Sequence, residues 1–318
     1  MPPKQEFSSA NLPEHLSHQE RFHLWRDIHY SEVATVEVGI SEKPFEATLE
    51  AAAIGELTYA KMSGTVNRVT RTSHSIRANP LDVYLLVMNS GASTIGGTYG
   101  ANDVVMHTGS AFLDASQPQH FTGGDHNVWA NLVVPRKILT DRFAGIEDKQ
   151  GLLIGADNEA LRLLRNYLTM VDGMSLPMGS VVLDHVSDAI IDLVGLATGA
   201  KGEAAELAGT RGLRAGRLQA VLKQIRNNYR NPALSAPLVG LQLGLSGRYV
   251  QDLLAATGGS FSERILELRL QDAKTMLTDT RHHDKRIGDI AFEVGFSDIS
   301  YFNRSFRKRF GCSPSAAR

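Results

Sequence analysis

Arg248 and Gln251 lie three residues apart in Gly247-Arg-Tyr-Val-Gln-Asp-Leu-Leu254, close to one helical turn. An arginine can bond bidentately to guanine and a glutamine to adenine in the major groove of DNA, each worth about 1–3 kcal/mol of discrimination. A second set of the same character stands near the C-terminus, where Ser300, Asn303, Arg304, Arg307 and Lys308 recur at helical spacing. Ser300, Asn303 and Arg304 suit base edges, with Arg304 the leading candidate for a base or backbone contact. Arg307, Lys308 and Arg309 suit phosphates or solvent. Such chemistry needs each set on a helix whose other side is anchored in a small core.

The anchoring pattern is present twice. Ile287, Ile290, Ala291 and Val294 put a single apolar face on a short helix. Gly295 supplies a turn without a Cβ, Phe296 can plug the angle, and Ser297 or Asp298 can cap the next helix. That next helix is expected to bury Tyr301, Phe302, Phe306 and Phe310. A short helix, a glycine turn and an amphipathic helix with a basic exposed side predict a helix-turn-helix over about 287–310. About fifty residues earlier, Leu238-Val-Gly-Leu-Gln-Leu-Gly244 matches Ile290-Ala-Phe-Glu-Val-Gly295, with Leu245 in the place of Phe296. Ser246 opens the helix that carries Arg248 and Gln251, and the turn is one residue shorter. This predicts a first unit over about 235–258, and an internal repeat is far more specific than one unit alone. Between the units, Ser260-Phe-Ser-Glu263 is a capping-box pattern. It opens a helix with Ile265, Leu266, Leu270, Ala273, Met276 and Leu277, long enough to hold the two units rigidly apart.

Arg269-Leu270, Ala273, Leu277, Ile287, Ile290-Ala291, Gly295-Phe296, Phe302, Arg304, Phe306, Gly311 and Pro314 together resemble the signature of the AraC/XylS family of bacterial transcription regulators. The resemblance covers residues 213–318. It implies seven helices, with two helix-turn-helix units in successive major-groove segments on one face of double-stranded DNA. RNA polymerase is implied as a further partner, and a homodimer as the assembly. By the family pattern Arg248 and Gln251 occupy base-reading positions; Asp252 departs from it, since an arginine is common there.

Charge divides the chain in the same way. Residues 211–318 hold 18 Lys and Arg against 9 Asp and Glu, a balance of +9, and residues 1–210 hold 15 against 25, a balance of −10. The overall net charge of −1 hides a basic C-terminal domain suited to nucleic acid and an acidic N-terminal one. The single cysteine, Cys312, rules out a disulfide framework within the chain and fits a reducing cytosol. No apolar run reaches membrane-spanning length and the start lacks a secretory core, so a cytoplasmic protein without a membrane partner is expected, nucleoid-associated when bound to DNA. The first dozen residues are expected to be mobile.

Residues 14–30 read as a helix. From about 33 to 135 the pattern becomes short strands, among them 33–38, 55–60, 83–88, 93–96, 103–107, 110–114 and 128–134, punctuated by glycines, Asn79-Pro80 and Gln117-Pro118. This predicts a β-barrel or jelly roll. Arg77, Tyr84-Leu-Leu86, Gly109-Ser-Ala-Phe-Leu-Asp114, Gln117-Pro118 and Leu132-Val-Val-Pro-Arg136 resemble the cupin-like effector-binding domain that precedes the DNA-binding part of many such regulators. Helices return at 157–171 and 179–198, packing either on their own barrel or against another subunit. Small residues over 199–212 suggest a tether between domains.

The expected fold is thus α+β in two domains. Residues 1–205 form a cupin-like effector-binding and dimerisation domain, 206–212 a linker, and 213–318 the DNA-binding domain. Small barrels hold ligands between apolar walls with few polar anchors. Arg77, near a strand start, could pair with a carboxylate, and His120, Phe121 and Trp129 could line the mouth, suggesting an aromatic or aliphatic acid, amide or amine. His107, His120 and His126 stand singly without a metal-ligand pattern, so no metal or cofactor is expected. No phosphate loop or nucleophile elbow occurs, and one cysteine cannot serve a methyl acceptor's zinc cluster and reactive thiol, so a non-enzyme is expected. The reading is a DNA-binding regulator answering to a small-molecule effector, an activator of a catabolic operon. Alternatives are a repressor, or a cupin-type metal enzyme or sensor fused to a DNA-binding domain.

Overall fold

The structure, a computed structural model, describes residues 5–30, 36–78, 80–114, 117–173, 180–255, 257–282 and 284–318. Val33, Ala34, Thr35, Asn79 and Gly179, which figured in the expected strand, turn and helix, lie outside the described residues. The chain forms two compact units, 1–216 and 217–318, dividing within the helix Arg214–Asn228.

Among the described residues the first unit is built on twelve strands, β1 (Gln5–Ser8), β2 (Glu37–Ile40), β3 (Ala47–Ile54), β4 (Leu57–Gly64), β5 (Val66–Arg71), β6 (Val83–Asn89), β7 (Ile95–Tyr99), β8 (Asn102–Met106), β9 (Ala111–Asp114), β10 (Gln119–Thr122), β11 (Asn127–Pro135) and β12 (Leu152–Ile154). They form two antiparallel sheets, in the orders β1-β3-β4-β11-β6-β9-β12 and β2-β5-β10-β7-β8. Strand alternation gives each sheet an inner and an outer face. On β11 the residues Trp129, Asn131 and Val133 face inward, and on β5 Asn67, Val69 and Arg71 do. The outer face of the larger sheet is buried too, since Tyr84, Leu86, Met88, Leu132 and Val134 are each at most 1% exposed.

Helices accompany the sheets, among them α1 (His18–Trp25), α2 (Ser73–Ala78), α3 (Arg136–Arg142), α4 (Glu159–Asp172) and α5 (Ser180–Ala197). On α5, Ile190 and Leu193 are fully buried, and Gly195 lies so close to Phe143 that a Cβ would meet its ring at 2.3 Å. Most of the α5 stripe is therefore satisfied within its own unit, while Val182 remains 50% exposed.

Three expectations need correction here. Of the first dozen residues, 1–4 lie outside the described residues and 5–12 are not loose: β1 pairs with β3, Ser9 Oγ accepts from Ala47 N at 2.9 Å, and Phe7 O accepts from the fully buried Trp25 indole at 3.1 Å. Strand β3 was not among the strands expected because it is rich in alanine, a poor strand former, with only Thr48 and Ile54 β-branched, yet Ala47 and Ala51 are buried in tight pairing with β4. The supposed linker is helical, as α6 (Glu203–Ala208) followed by a wider turn over Gly209–Leu213. Gly212 packs against Asp192, which takes Arg142 at 2.7 Å and Arg211 at 3.7 Å, so the small residues serve close packing.

The second unit is all-helical: α7 (Arg214–Asn228), α8 (Ala236–Leu243), α9 (Gly247–Ala255), α10 (Phe261–Thr278), α11 (Ile287–Glu293) and α12 (Ile299–Phe310). It holds two cores. Val221, Ile225, Val239, Val250, Leu253 and Leu254 centre the first, and Leu270, Leu277, Ile290, Val294, Phe302 and Phe306 the second. The α+β, two-domain architecture is the one expected.

Candidate nucleic-acid interface

Each putting-together of helices begins at a turn. In the first unit α8 ends on Gly244 at φ +69°, and Leu245 N donates back to Gly240 O at 2.8 Å. In the second, Phe296 N donates back to Ala291 O at 2.9 Å across Gly295 at φ +100°. These two bonds are equivalent, six residues closing on the first, and they establish the repeat at the level of the backbone. Ser246 Oγ then accepts from Tyr249 N at 3.1 Å, and Asp298 Oδ1 from Tyr301 N at 2.7 Å, capping α9 and α12. Of the two cap candidates in the second turn, Asp298 holds the position.

Capping fixes where each second helix starts, and its buried stripe fixes its rotation. Val250, Leu253 and Leu254 turn α9 inward, and Phe302 and Phe306 turn α12 inward. Arg248 and Gln251 are consequently exposed on α9, and Ser300, Asn303, Arg304, Arg307 and Lys308 are all exposed on α12. Tyr301 is a correction: it was expected in the core but is 47% exposed, because Phe296 at 3% exposure already fills the angle against Phe302, ring centres 5.0 Å apart. Arg309 is another, since it is held by Glu267 in a bidentate pair at 2.8–3.0 Å and braces α12 on α10. That guanidinium holds the Glu267 carboxyl below its usual range.

Helix α10 is the strut between the units. Its N-terminus closes with the expected capping box, Ser260 N donating to Glu263 Oε2 at 2.8 Å and Glu263 N to Ser260 Oγ at 3.2 Å. Arg269 reaches from its middle to Tyr229 O at 2.7 Å and Asn231 O at 2.9 Å, with burial pulling its pKa down. Asp272 accepts Arg230 at 2.7 and 3.0 Å and the Tyr229 hydroxyl at 2.7 Å. Gly295 is wedged at this junction: a Cβ there would meet Arg230 O at 2.5 Å. These charge-assisted bonds, partly buried or exposed, act by fixing geometry more than by adding stability. Arg269 and Gly295, read in the sequence as signature residues, turn out to be the joint that sets the spacing of the two exposed faces.

The first unit holds a cavity of about 210 Å³ between the inner faces of its sheets. Phe121 and Trp129 line it as expected. Arg77 does not: it is exposed on α2, in a helix where a strand start was expected. His120 does not either, because strand alternation on β10 turns it outward, where Nδ1 lies 2.8 Å from Thr70 Oγ1, while Gln119 and Phe121 turn in. The buried arginine of the cavity is Arg71, 4% exposed, accompanied by Asp114 at 2% and Gln119 at 8%. Period-two reading from Val69 along Val66-Asn-Arg-Val-Thr-Arg71 would have put Arg71 on the inner face. Among the described residues no cluster of His, Cys, Asp or Glu has the makings of a metal site, and no helix is long and apolar enough to cross a membrane.

Comparison with known proteins agrees with this geometry. The family described as "Helix-turn-helix domain" matches residues 241–318. The transcriptional activator NphR of Rhodococcus sp is 26% identical over 285 residues, 86% of this chain and 81% of that protein. The transcriptional activator RhrA of Rhizobium meliloti (strain 1021) is 33% identical over 102 residues, 32% of each chain. The crystal structure of the AraC-like transcriptional activator CuxR covers 85% of this chain and 95% of its own with a TM-score of 0.53 at 18% identity, a likeness of fold. With a doubled helix-turn-helix closed by equivalent backbone bonds, the C-terminal part of the chain is a helix-turn-helix DNA-binding domain of the AraC type, and along most of its length the chain is similar to a transcriptional activator.

Proposed function

We propose that the chain is an effector-responsive transcription activator of a catabolic operon, acting in the cytoplasm at the nucleoid as a homodimer that contacts RNA polymerase. The observation that carries the reading is the combination, in one chain, of an apolar cavity with a few buried polar groups and a paired helix-turn-helix. In this reading residues 1–205 bind the effector and dimerise, and 213–318 bind DNA, as Arg248 and Gln251 read bases from α9. Ser300, Asn303 and Arg304 read them from α12, and Arg307 and Lys308 meet phosphates. Phe121 and Trp129 contact the effector. NphR and RhrA bear the name activator, which favours that sign over repression.

The test begins with a thermal-shift screen of small metabolites against the full chain. A ligand at a hundred times its Kd stabilises by about 2.7 kcal/mol, well within detection. DNA footprints and transcription are then compared with and without the compound found. A change in footprint or in transcript yield supports the coupling. Identical footprints and identical transcription in both states would remove effector control from the reading.

A further inference from the structure

Val83, Leu85, Val87 and Val133 lie between two sheets and are nevertheless only half-buried, because they border the cavity. The contacts they lack are those an occupant would make. An apolar cavity of about 150 Å³ accepts benzene, so the 210 Å³ here holds one ring with a small substituent.

Two polar features decide what that substituent is. At one corner Arg71 stands opposite Gln119 across the β5–β10 ladder, and Gln119 Nε2 donates to Asp114 Oδ2 at 3.2 Å. Among the described residues the only ionisable side chains lining the cavity are this one cation and this one anion, so that lining carries no net charge. A charged ligand would bring a third charge into a space of low dielectric, beside a group of its own sign. The second feature is Asn131, on β11 between the cavity-lining Trp129 and Val133. Its Oδ1 is buried and accepts no hydrogen bond. A buried acceptor left unmade is destabilising, so an occupant that offers a donor there is favoured over one that does not.

We infer that the cavity takes an uncharged molecule of single-ring size bearing an O–H or N–H donor, of phenol or carboxamide chemistry, and that Asn131 determines this specificity. The inference rests on the reading of the cavity as the effector site and deepens it. It replaces the acid or amine that an arginine at position 77 suggested.

The experiment is a thermal titration of the full chain with phenol, benzamide, benzoate, benzylamine and toluene. Phenol or benzamide should raise the Tm at concentrations where benzoate and benzylamine do not, with affinities at least about tenfold tighter, the scale of one hydrogen bond. Asn131→Leu should weaken phenol and benzamide about tenfold and leave toluene unchanged. Asn131→Ser gives the same comparison should the leucine disturb the sheet. Val87→Phe, which fills the space, should remove every shift while the protein keeps its own unfolding transition and its DNA binding. Benzoate or benzylamine binding as tightly as the neutral probes would overturn the assignment of ligand class and leave the cavity as a site. A preference for phenol unchanged in both Asn131 variants would overturn the role of Asn131. Shifts that persist in Val87→Phe would show binding elsewhere and sink the cavity reading itself. No shift with any probe would overturn the single-ring class, and loss of the metabolite-screen hits in Val87→Phe would then decide the cavity reading separately.

Discussion

Arg304 and Lys308 sit one turn apart on α12 and are both exposed, yet their chemistry differs. An arginine fork can match a guanine edge, whereas an ammonium meets phosphate as a point charge. Arg304→Ala is expected to weaken binding to the target by about 1–3 kcal/mol and to random DNA much less. Lys308→Ala should weaken all sequences alike and lower the salt slope of binding by about 1. Titrations on target and random duplexes at several salt concentrations measure both. Equal losses on the two duplexes for Arg304→Ala would make Arg304 a positioning residue. Arg309, two residues beyond Arg307, illustrates why such roles cannot be read from charge alone: its pair with Glu267 ties it to α10.

At the scale of elements, the two helix-turn-helix copies differ instructively at one position. Gly240 and Ala291 both accept the bond that closes their turn. The first turn is one residue shorter, and a Cβ on Gly240 would meet Leu245 O at 2.5 Å. Gly240→Ala should therefore destabilise the protein by about 1–3 kcal/mol despite the better helix propensity of alanine, as read by thermal or urea unfolding. Ala291→Gly in the longer turn should cost no more than about 1 kcal/mol from propensity, plus the small loss of a buried methyl. If Gly240→Ala proved as stable as the parent, the tight turn would not be the reason for glycine there. The copies and the capping box were legible because each is a local device, written in adjacent residues. The linker was misread because glycine and alanine signal both slack chain and close packing, and only the presence of Asp192 beside Gly212 distinguishes them.

For the whole molecule, the rigidity of α10 has a consequence on DNA. With Arg269, Asp272 and Glu267 fastening it at its middle, the two reading helices are expected to move as one body. Inserting about five base pairs between the two half-elements of a target turns one away by half a helical turn and should abolish specific binding, while about ten should restore the facing but not the reach. Binding that tolerates the half-turn insertion would mean that the units swivel. What the sequence determined by itself was the fold class, the doubled reading unit and its exposed residues, because helical period, turn glycines and caps are set by near neighbours. What the tertiary structure decided was the cavity's polar set. Arg71, Asp114, Gln119 and Asn131 come from four strands, and their meeting depends on sheet order and on which face of each strand turns inward, which long-range pairing alone fixes.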